Sequence, residues 1–318
     1  MLTPFRVTDE RDGDLKRRQY SYWANAVVRD GAVVVFNGQA DGTVHFWRVD
    51  IGSRSVDRLG ALLTYTGEGE GWFWDREGRL IVLDGPRLRR VGPTEPGQDE
   101  VVLDISETHP GCDLWQPHAS EDGSFYSATV RQLTTEGPYQ PIGTVVGSWQ
   151  AQRFYRAEGE LDESAIDATG RFLLIKETFQ RDKPRLDNRI IDFARGTDRW
   201  LRDEDGAIGH ADMGAGFVVG EDDQIGACVR MDLETGARVI LFSTWGMGYV
   251  SVRGDRCLWS SDTHISLVAL DGSGVTPLVE HGAHAGTEYD QRVKASLDPS
   301  GRVACYMVRG TVYLLEVP

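Results

Sequence analysis

A turn of the form Asp-x-x-Gly, followed at once by a short β-branched or aromatic run, recurs along the whole chain and leaves few folds open to it. Copies stand at Arg29-Asp-Gly-Ala-Val-Val-Val-Phe, Asp75-Arg-Glu-Gly-Arg-Leu-Ile-Val-Leu, Ser120-Glu-Asp-Gly-Ser-Phe-Tyr-Ser, Asp167-Ala-Thr-Gly-Arg-Phe-Leu-Leu-Ile, Arg253-Gly-Asp-Arg-Cys-Leu-Trp and Asp298-Pro-Ser-Gly-Arg-Val-Ala-Cys-Tyr. A degenerate copy sits at Glu221-Asp-Asp-Gln-Ile-Gly-Ala-Cys-Val. Each reads as a hairpin, with Gly or Asp supplying the positive φ of the turn and the flanking runs forming strands. With Gly31, Gly78, Gly123, Gly170, Asp223, Gly254 and Gly301 as markers, the spacings are 47, 45, 47, 53, 31 and 47 residues. Propeller blades of four strands repeat every ~40–50 residues, so six spacings predict seven units. The uneven 53 and 31 leave six or eight blades as the alternative, but together they span 84, close to two repeats, which points to a misplaced marker at Asp223.

A second signature lies downstream in several units: apolar-Asp-apolar, a polar turn, then another apolar run. Val49-Asp-Ile-Gly-Ser-Arg-Ser-Val, Ile191-Asp-Phe-Ala-Arg-Gly-Thr, Met231-Asp-Leu-Glu-Thr-Gly-Ala and Val268-Ala-Leu-Asp-Gly-Ser-Gly-Val are examples. They read as the third strand, turn and fourth strand of a blade, so two hairpins make each four-stranded antiparallel sheet. No segment has the caps and 3.6-residue period of a long helix. The predicted fold is an all-β, seven-bladed propeller forming one domain over 1–318, with blades at roughly 20–60, 61–107, 112–160, 161–205, 208–244, 245–282 and 287–318 plus 2–8. The last unit offers only three strands, 291–297, 302–308 and 311–317. A closed propeller leaves no exposed ring edge, so the N-terminal segment 2–8 is expected to supply the missing outer strand.

Composition narrows the partners. The formal net charge is −15, which disfavours nucleic acid and anionic membrane while leaving room for an anionic ligand in a locally basic pocket. No basic n-region followed by an apolar run opens the sequence, and no apolar stretch approaches the ~20 residues of a membrane span, so a cytoplasmic protein is expected. Cys112, Cys228, Cys257 and Cys305 are widely spaced, without a Cys-x-x-Cys pair. The last three fall in apolar runs and read as small buried strand residues.

In a propeller the innermost strands line a central channel, and the segments leading into them build one face. These lead-ins are 22–25, 70–72, 115–118, 161–163, 210–212, 245–249 and 289–294, and polar and aromatic residues concentrate in them. Trp23, Asn25, Trp72, Trp115, Gln116, Asp212, Trp245, Tyr249 and Gln291 are the candidate ligand-binding residues, offering flat apolar faces and convergent polar groups for a sugar or other small polar ligand. Each aromatic among them is also a strand former that can wedge blades together. His210 and Asp212 alternate along an extended segment, so Asp212 is expected to orient the imidazole for general-base or metal-ligand duty. His118 falls on an inner strand and is the second candidate base, with Arg292 and Lys294 as cations for a substrate carboxylate. His281 and His284 read as a surface loop, and Asp203-Glu-Asp-Gly206 and Glu221-Asp-Asp223 as solvated turns lacking a calcium-loop pattern. Serine-hydrolase, nucleotide-binding and zincin motifs are absent from the sequence.

The Asp-x-x-Gly-Arg turns at Asp167 and Asp298 resemble the repeats of TolB-like propellers. Within that group the opening Tyr22-Trp-Ala-Asn and Phe36-Asn-Gly-Gln-Ala-Asp-Gly, the segment around His210, and Asp290-Gln-Arg are similar to the oligogalacturonate-lyase type. The resemblance implies β-elimination of polyuronides with a divalent metal held by histidines and a glutamine. It matches His210 to one metal ligand and Gln291 to the glutamine, while Lys294 and Ser296 stand where two further histidines are expected. Two functions remain open from the sequence: a carbohydrate-active lyase, or a non-catalytic propeller that binds a small ligand or a protein partner on its channel face.

Overall fold

The structure, a computed structural model, describes residues 2–7, 24–29, 32–38, 43–50, 52–63, 73–75, 77, 79–92, 99–134, 137–148, 150–179, 185–244, 248–281, 293–308 and 311–318. Among them, seven four-stranded antiparallel sheets follow one another along the chain. Blades 1 to 6 each take four consecutive strands, over 24–63, 73–104, 112–156, 160–201, 209–243 and 249–280. Blade 7 joins Ser296–Leu297, Val303–Val308 and Thr311–Glu316 to the N-terminal Phe5–Arg6. A single 3-10 turn at Asp203–Asp205 accompanies the strands among the described residues, and none of their helices is long and apolar enough to cross a membrane.

The repeated turn builds itself from local hydrogen bonds. Asp167 accepts the backbone N–H of Phe172 at 2.7 Å and the Thr169 hydroxyl at 2.6 Å. Asp298 accepts from the backbones of Ser300, Arg302 and Val303 at 3.0, 2.8 and 2.8 Å, and Asp75 from Glu77 and Arg79. Gly170 and Gly301 close their turns at φ 74° and 69°, where a Cβ would be strained. The carboxylate thus replaces the strand ladder where the chain reverses, which explains why this short pattern marks the step from inner to second strand. The second signature works likewise. Asp50, Asp192 and Asp232 end third strands and accept from Ser53, Ala194 and Thr235 at 2.7, 3.0 and 2.7 Å.

In blade 5 the inner-to-second turn is Gly214-Ala-Gly216, with Gly216 at φ 76°, so the true marker is Gly216 and the spacings become 46 and 38. Of the two acidic runs, the expectation of solvated turns fails for Glu221 and Asp222. They end the second strand of blade 5 at 7% and 2% exposure, Asp222 paired with Arg238 at 2.6 Å. His281 likewise is buried rather than on the surface, its Nε2 3.0 Å from the Ser261 carbonyl, while His284 lies outside the described residues.

Closure follows the expected route. Phe5 and Arg6 pair antiparallel with Leu314 and Tyr313, and the N–H groups of Leu2 and Val7 donate to the Leu278 and Val312 carbonyls at 2.6 and 2.8 Å. An apolar cluster containing Val7, Val33, Trp47, Val49, Val303 and Leu314 then packs blade 7 on blade 1. Separate clusters fill the remaining interfaces between successive blades around the ring, each made of side chains alternating off neighbouring sheets. All four cysteines are free and buried, as small core residues. Burial pushes the Cys228 thiol up to about 12, which suits packing and not reactivity.

Candidate functional site

The inner strands Cys112–Ala119, Glu160–Ile166 and Gly209–Met213 come from blades 3, 4 and 5, and each is broken by one extra residue. Pairing slips between Trp115 and His118, between Leu161 and Glu163, and between Gly209 and Asp212. These are β-bulges, which re-aim side chains at the cost of local ladder bonds. Pro117, with no N–H to donate, sits in the first of them, where a sheet tolerates proline. In the third, Gly220 faces the bulge so closely that a Cβ there would come within 2.5 Å of the Gly209 carbonyl and the Ile208 side chain. Gln116 and His210 take φ 46° and 40°, a left-handed conformation unusual for residues with side chains.

The bulge decides what His210 can reach. Strict alternation would put His210 and Asp212 on one face, but the extra residue separates them, and the expected His210–Asp212 pair does not form. Asp212 instead accepts from the backbones of Val252 and Met213 at 2.7 and 2.8 Å and pairs with Arg253 at 3.3 Å. The partner of His210 is Glu221, whose Oε2 lies 3.2 Å from Nδ1 while Oε1 accepts the Gly248 N–H at 3.1 Å. A carboxylate only accepts, so Nδ1 carries the hydrogen, and in the neutral ring the lone pair is on Nε2. The imidazole lies against Tyr249, ring centroids 5.5 Å apart, and the Lys294 ammonium stands 4.2 Å from the centre of the same phenol ring. His210, Glu221, Tyr249 and Lys294 therefore form one constellation across blades 5, 6 and 7.

His118 belongs to a second group. Its imidazole is half-buried, and burial pushes it down to about 4, with Arg253 and Lys176 adding to the fall and Asp212 opposing it. Lys176, on the second strand of blade 4, is 2% exposed and ion-paired with Glu163. Burial lowers its ammonium to about 8 against the opposing pull of Asp162 and Asp212. Trp115 lies beside these residues in sequence, with the Arg131 guanidinium 5.6 Å from its ring centre. Its Nε1 and the Gln116 Oε1 are buried without a hydrogen-bond partner among the described residues.

Trp23, Trp72, Trp245, Gln291 and Arg292 lie outside the described residues, and only the backbone of Asn25 is described, in the inner strand Ala24–Arg29. Sequence reasoning did not single out Glu221, Lys176 and Arg253. The signal for Lys176 was present, a Lys-Glu pair directly after the apolar run Phe172-Leu-Leu-Ile and in the same strand. Glu221 was masked by its place in a Glu-Asp-Asp string.

The metal implied by the resemblance does not fit these residues. The Lys294 ammonium stands 4.2 Å from the centre of the Tyr249 ring against which His210 lies, and it would repel a dication there. No three His, Cys, Asp or Glu side chains converge as a metal site among the described residues.

No protein-family model matches the chain, and no curated protein matches it in sequence. Solved structures do. An oligogalacturonate lyase in complex with manganese superimposes with a TM-score of 0.67 at 13% identity, over 94% of this chain and 90% of that one. The RRP9 WD40 repeats superimpose at 0.60 and 12% identity over 100% of both chains. A putative TolB from Agrobacterium tumefaciens does so at 0.51 and 14% identity, over 85% of this chain and 96% of that one. At such identities the likeness is one of fold, and it places the chain among seven-bladed propellers of the kind that TolB-like, lyase and WD40 proteins share.

Proposed function

We propose that the chain is a carbohydrate-active propeller that binds an acidic sugar at the channel and cleaves it by β-elimination without a metal. The observation that carries this reading is the His210–Glu221 dyad beside Lys294. Elimination from a uronate needs a base for the proton α to the carboxylate and a cation for the charge that develops on that carboxylate. Nε2 of His210 takes the proton, Glu221 holds the ring and its tautomer, and Lys294 holds the carboxylate. The electron pair of the broken C–H bond becomes the new C=C bond, the β C–O bond breaks, and the leaving oxygen takes a proton from water. Arg292 is a further cation for the same carboxylate, and Tyr249 a flat face for the sugar ring. His118, held neutral, lines the channel as a hydrogen-bonding group rather than a second base. Four free buried cysteines suit a reducing compartment, in keeping with a cytoplasmic protein.

The test is the ultraviolet absorbance of unsaturated uronate, followed on a panel of acidic oligosaccharides in the presence of a chelator and again with added divalent metal. Activity in chelator that His210→Ala and Lys294→Met both lose supports the reading. Activity strictly dependent on metal overturns the metal-free mechanism. A flat trace with retained binding of the same sugars favours the second reading, a non-catalytic binder.

A further inference from the structure

The bulges of blades 3 and 5 share one count, two residues on the inner strand against one on its neighbour. In blade 3, Gln116 and Pro117 face Ala128, and in blade 5, His210 and Ala211 face Gly220. The first residue of each pair takes the same left-handed conformation, φ 46° at Gln116 and 40° at His210. The residues opposite differ by one methyl group, and that methyl limits how closely the strands approach. Blade 3 accommodates the buried Ala128 side chain opposite its bulge. In blade 5 the same methyl on Gly220 would come within 2.5 Å of the Gly209 carbonyl oxygen and the Ile208 Cγ2, and within 2.8 Å of the Ala211 Cβ. Gly220 lies in a strand and has no positive φ, so its missing side chain serves space and not backbone freedom. A bulge of this count therefore does not itself require glycine; the closer approach in blade 5 does.

The next residue along that strand is Glu221. Its Oε1 is pinned by the Gly248 N–H at 3.1 Å, and Gly248 is pressed so closely on Trp259 that a Cβ there would overlap the indole ring. Glu221 is thus not free to follow a displaced His210. Its Oε2 meets Nδ1 at 3.2 Å, the long end of the range for a nitrogen–oxygen hydrogen bond. Restoring ordinary contact around a methyl on Gly220 needs a shift of about 1 Å, from 2.5 Å to the ~3.5 Å at which heavy atoms pack. A shift of that size on the His210 side takes Nδ1 out of reach. We propose that Gly220 is a positioning residue of the His210–Glu221 dyad: by carrying no side chain it lets the inner strand of blade 5 close on its neighbour until His210 meets Glu221. The consequence for turnover rests on the reading of His210 as a base given above, and the contact itself does not.

Spectra of the His210 ring nitrogens in ¹⁵N-labelled full chain, and initial rates on an acidic oligosaccharide, test this. Gly220→Ala is expected to lose the Nδ1–H form that Glu221 holds, with the hydrogen redistributed towards Nε2. Its kcat should fall about 100-fold, the effect of a ~1 Å misplacement, with KM within about twofold of wild type. Adding Ala211→Gly removes one of the three contacts and should recover part of both. Gly209→Ala, in the same bulge, would meet nothing closer than the Leu186 Cδ2 at 3.6 Å and should leave ring and rate as in wild type. Gly143→Ala in blade 3 would overlap the Tyr155 carbonyl and the Phe154 ring, so it should lower Tm as Gly220→Ala does, by about 2–5 °C, without moving the His210 spectrum. An unchanged His210 spectrum in Gly220→Ala, or the same change in Gly143→Ala, overturns the inference. So does failure of both the single and the double variant to fold, because Gly220 would then hold up the sheet and not the dyad. A changed spectrum with an unchanged rate, or no turnover by wild type, keeps the inference and overturns the reading of His210 as a base.

Discussion

Replacing Glu221 with Gln isolates the carboxylate's charge from its shape. The side chain is 7% exposed and holds two groups, the Gly248 N–H at 3.1 Å and the His210 Nδ1 at 3.2 Å. An amide can keep only one of these bonds in its present sense. If its oxygen stays on Gly248, its NH₂ meets Nδ1, which must then accept, and the imidazole hydrogen moves to Nε2. Two charge-assisted bonds at ~1.5–3 kcal/mol become neutral ones at ~0.5–1.5, so the fold should lose about 2–3 kcal/mol and Tm should fall by about 3–5 °C. The base loses its lone pair where the substrate proton lies, and kcat for elimination should drop ~10²–10⁴-fold, the range spanned by general-base loss and by the wrong-tautomer effect of a triad carboxylate-to-amide change. The assay is twofold: initial rates on an acidic oligosaccharide, and ¹⁵N spectra of the His210 ring, which report the tautomer whether or not a substrate is known. A ring that keeps its hydrogen on Nδ1 in Glu221→Gln refutes the reasoning, because Glu221 would then not be what sets the tautomer.

Other substitutions address the fold and the inner cluster. Asp167→Ala strands the Phe172 N–H and, across the blade interface, the Gly216 N–H that Asp167 accepts at 3.0 Å, so stability should fall by about 3 kcal/mol and Tm by about 4–5 °C; a change under about 1 kcal/mol in denaturant unfolding counts against the turn network. His118, whose imidazole is held down to about 4, opposes the fold when protonated: its contribution is complete above the unfolded value near 6.5 and is lost as pH falls through 6.5 towards 4. His118→Gln should therefore flatten the acid side of the stability curve, and an NMR titration midpoint above pH 6 for His118 contradicts this. Glu163→Ala leaves the buried Lys176 ammonium unpaired and should cost about 3 kcal/mol, at the low end for a broken buried pair because the lysine can shed its proton. Lys176→Met leaves a partly solvated carboxylate and should stay within about 1 kcal/mol of wild type; the reverse order of the two variants in a denaturation series would defeat that account.

How much of this was legible in the sequence depends on whether the cause is local. The Asp-x-x-Gly turn carries its own hydrogen bonds within five residues, so Asp75, Asp167 and Asp298 announce their hairpins, and the regular spacing of such turns announces the ring. The strand pairing of 2–8 was legible from a missing strand, an argument from edge satisfaction. The marker at Asp223 misled because blade 5 replaces the carboxylate with Gly214-Ala-Gly216, which has no side chain to read. The site was harder. A bulge is a property of two strands in register, and the single residue that separates His210 from Asp212 is visible only once Gly209 is seen opposite Glu221 and Asp212 opposite Val219. Glu221 looked like solvent-facing charge because its burial comes from Gly248 and the next blade.

The clasp that closes the ring is small: two residues of strand pairing and two flanking backbone bonds join segments about 300 residues apart. Loop-closure entropy grows only logarithmically, at ~0.6 kcal/mol per doubling, so the long span adds little to what the clasp must overcome. Its loss has a different kind of consequence. With Phe5–Arg6 detached, Thr311–Glu316 becomes a free sheet edge of well-formed blade, offering the same ladder to the detached segment of a neighbouring molecule. Damage at this seam therefore converts the chain from a closed ring into a donor and acceptor of strands, and its first symptom would be exchange between molecules rather than unfolding within one.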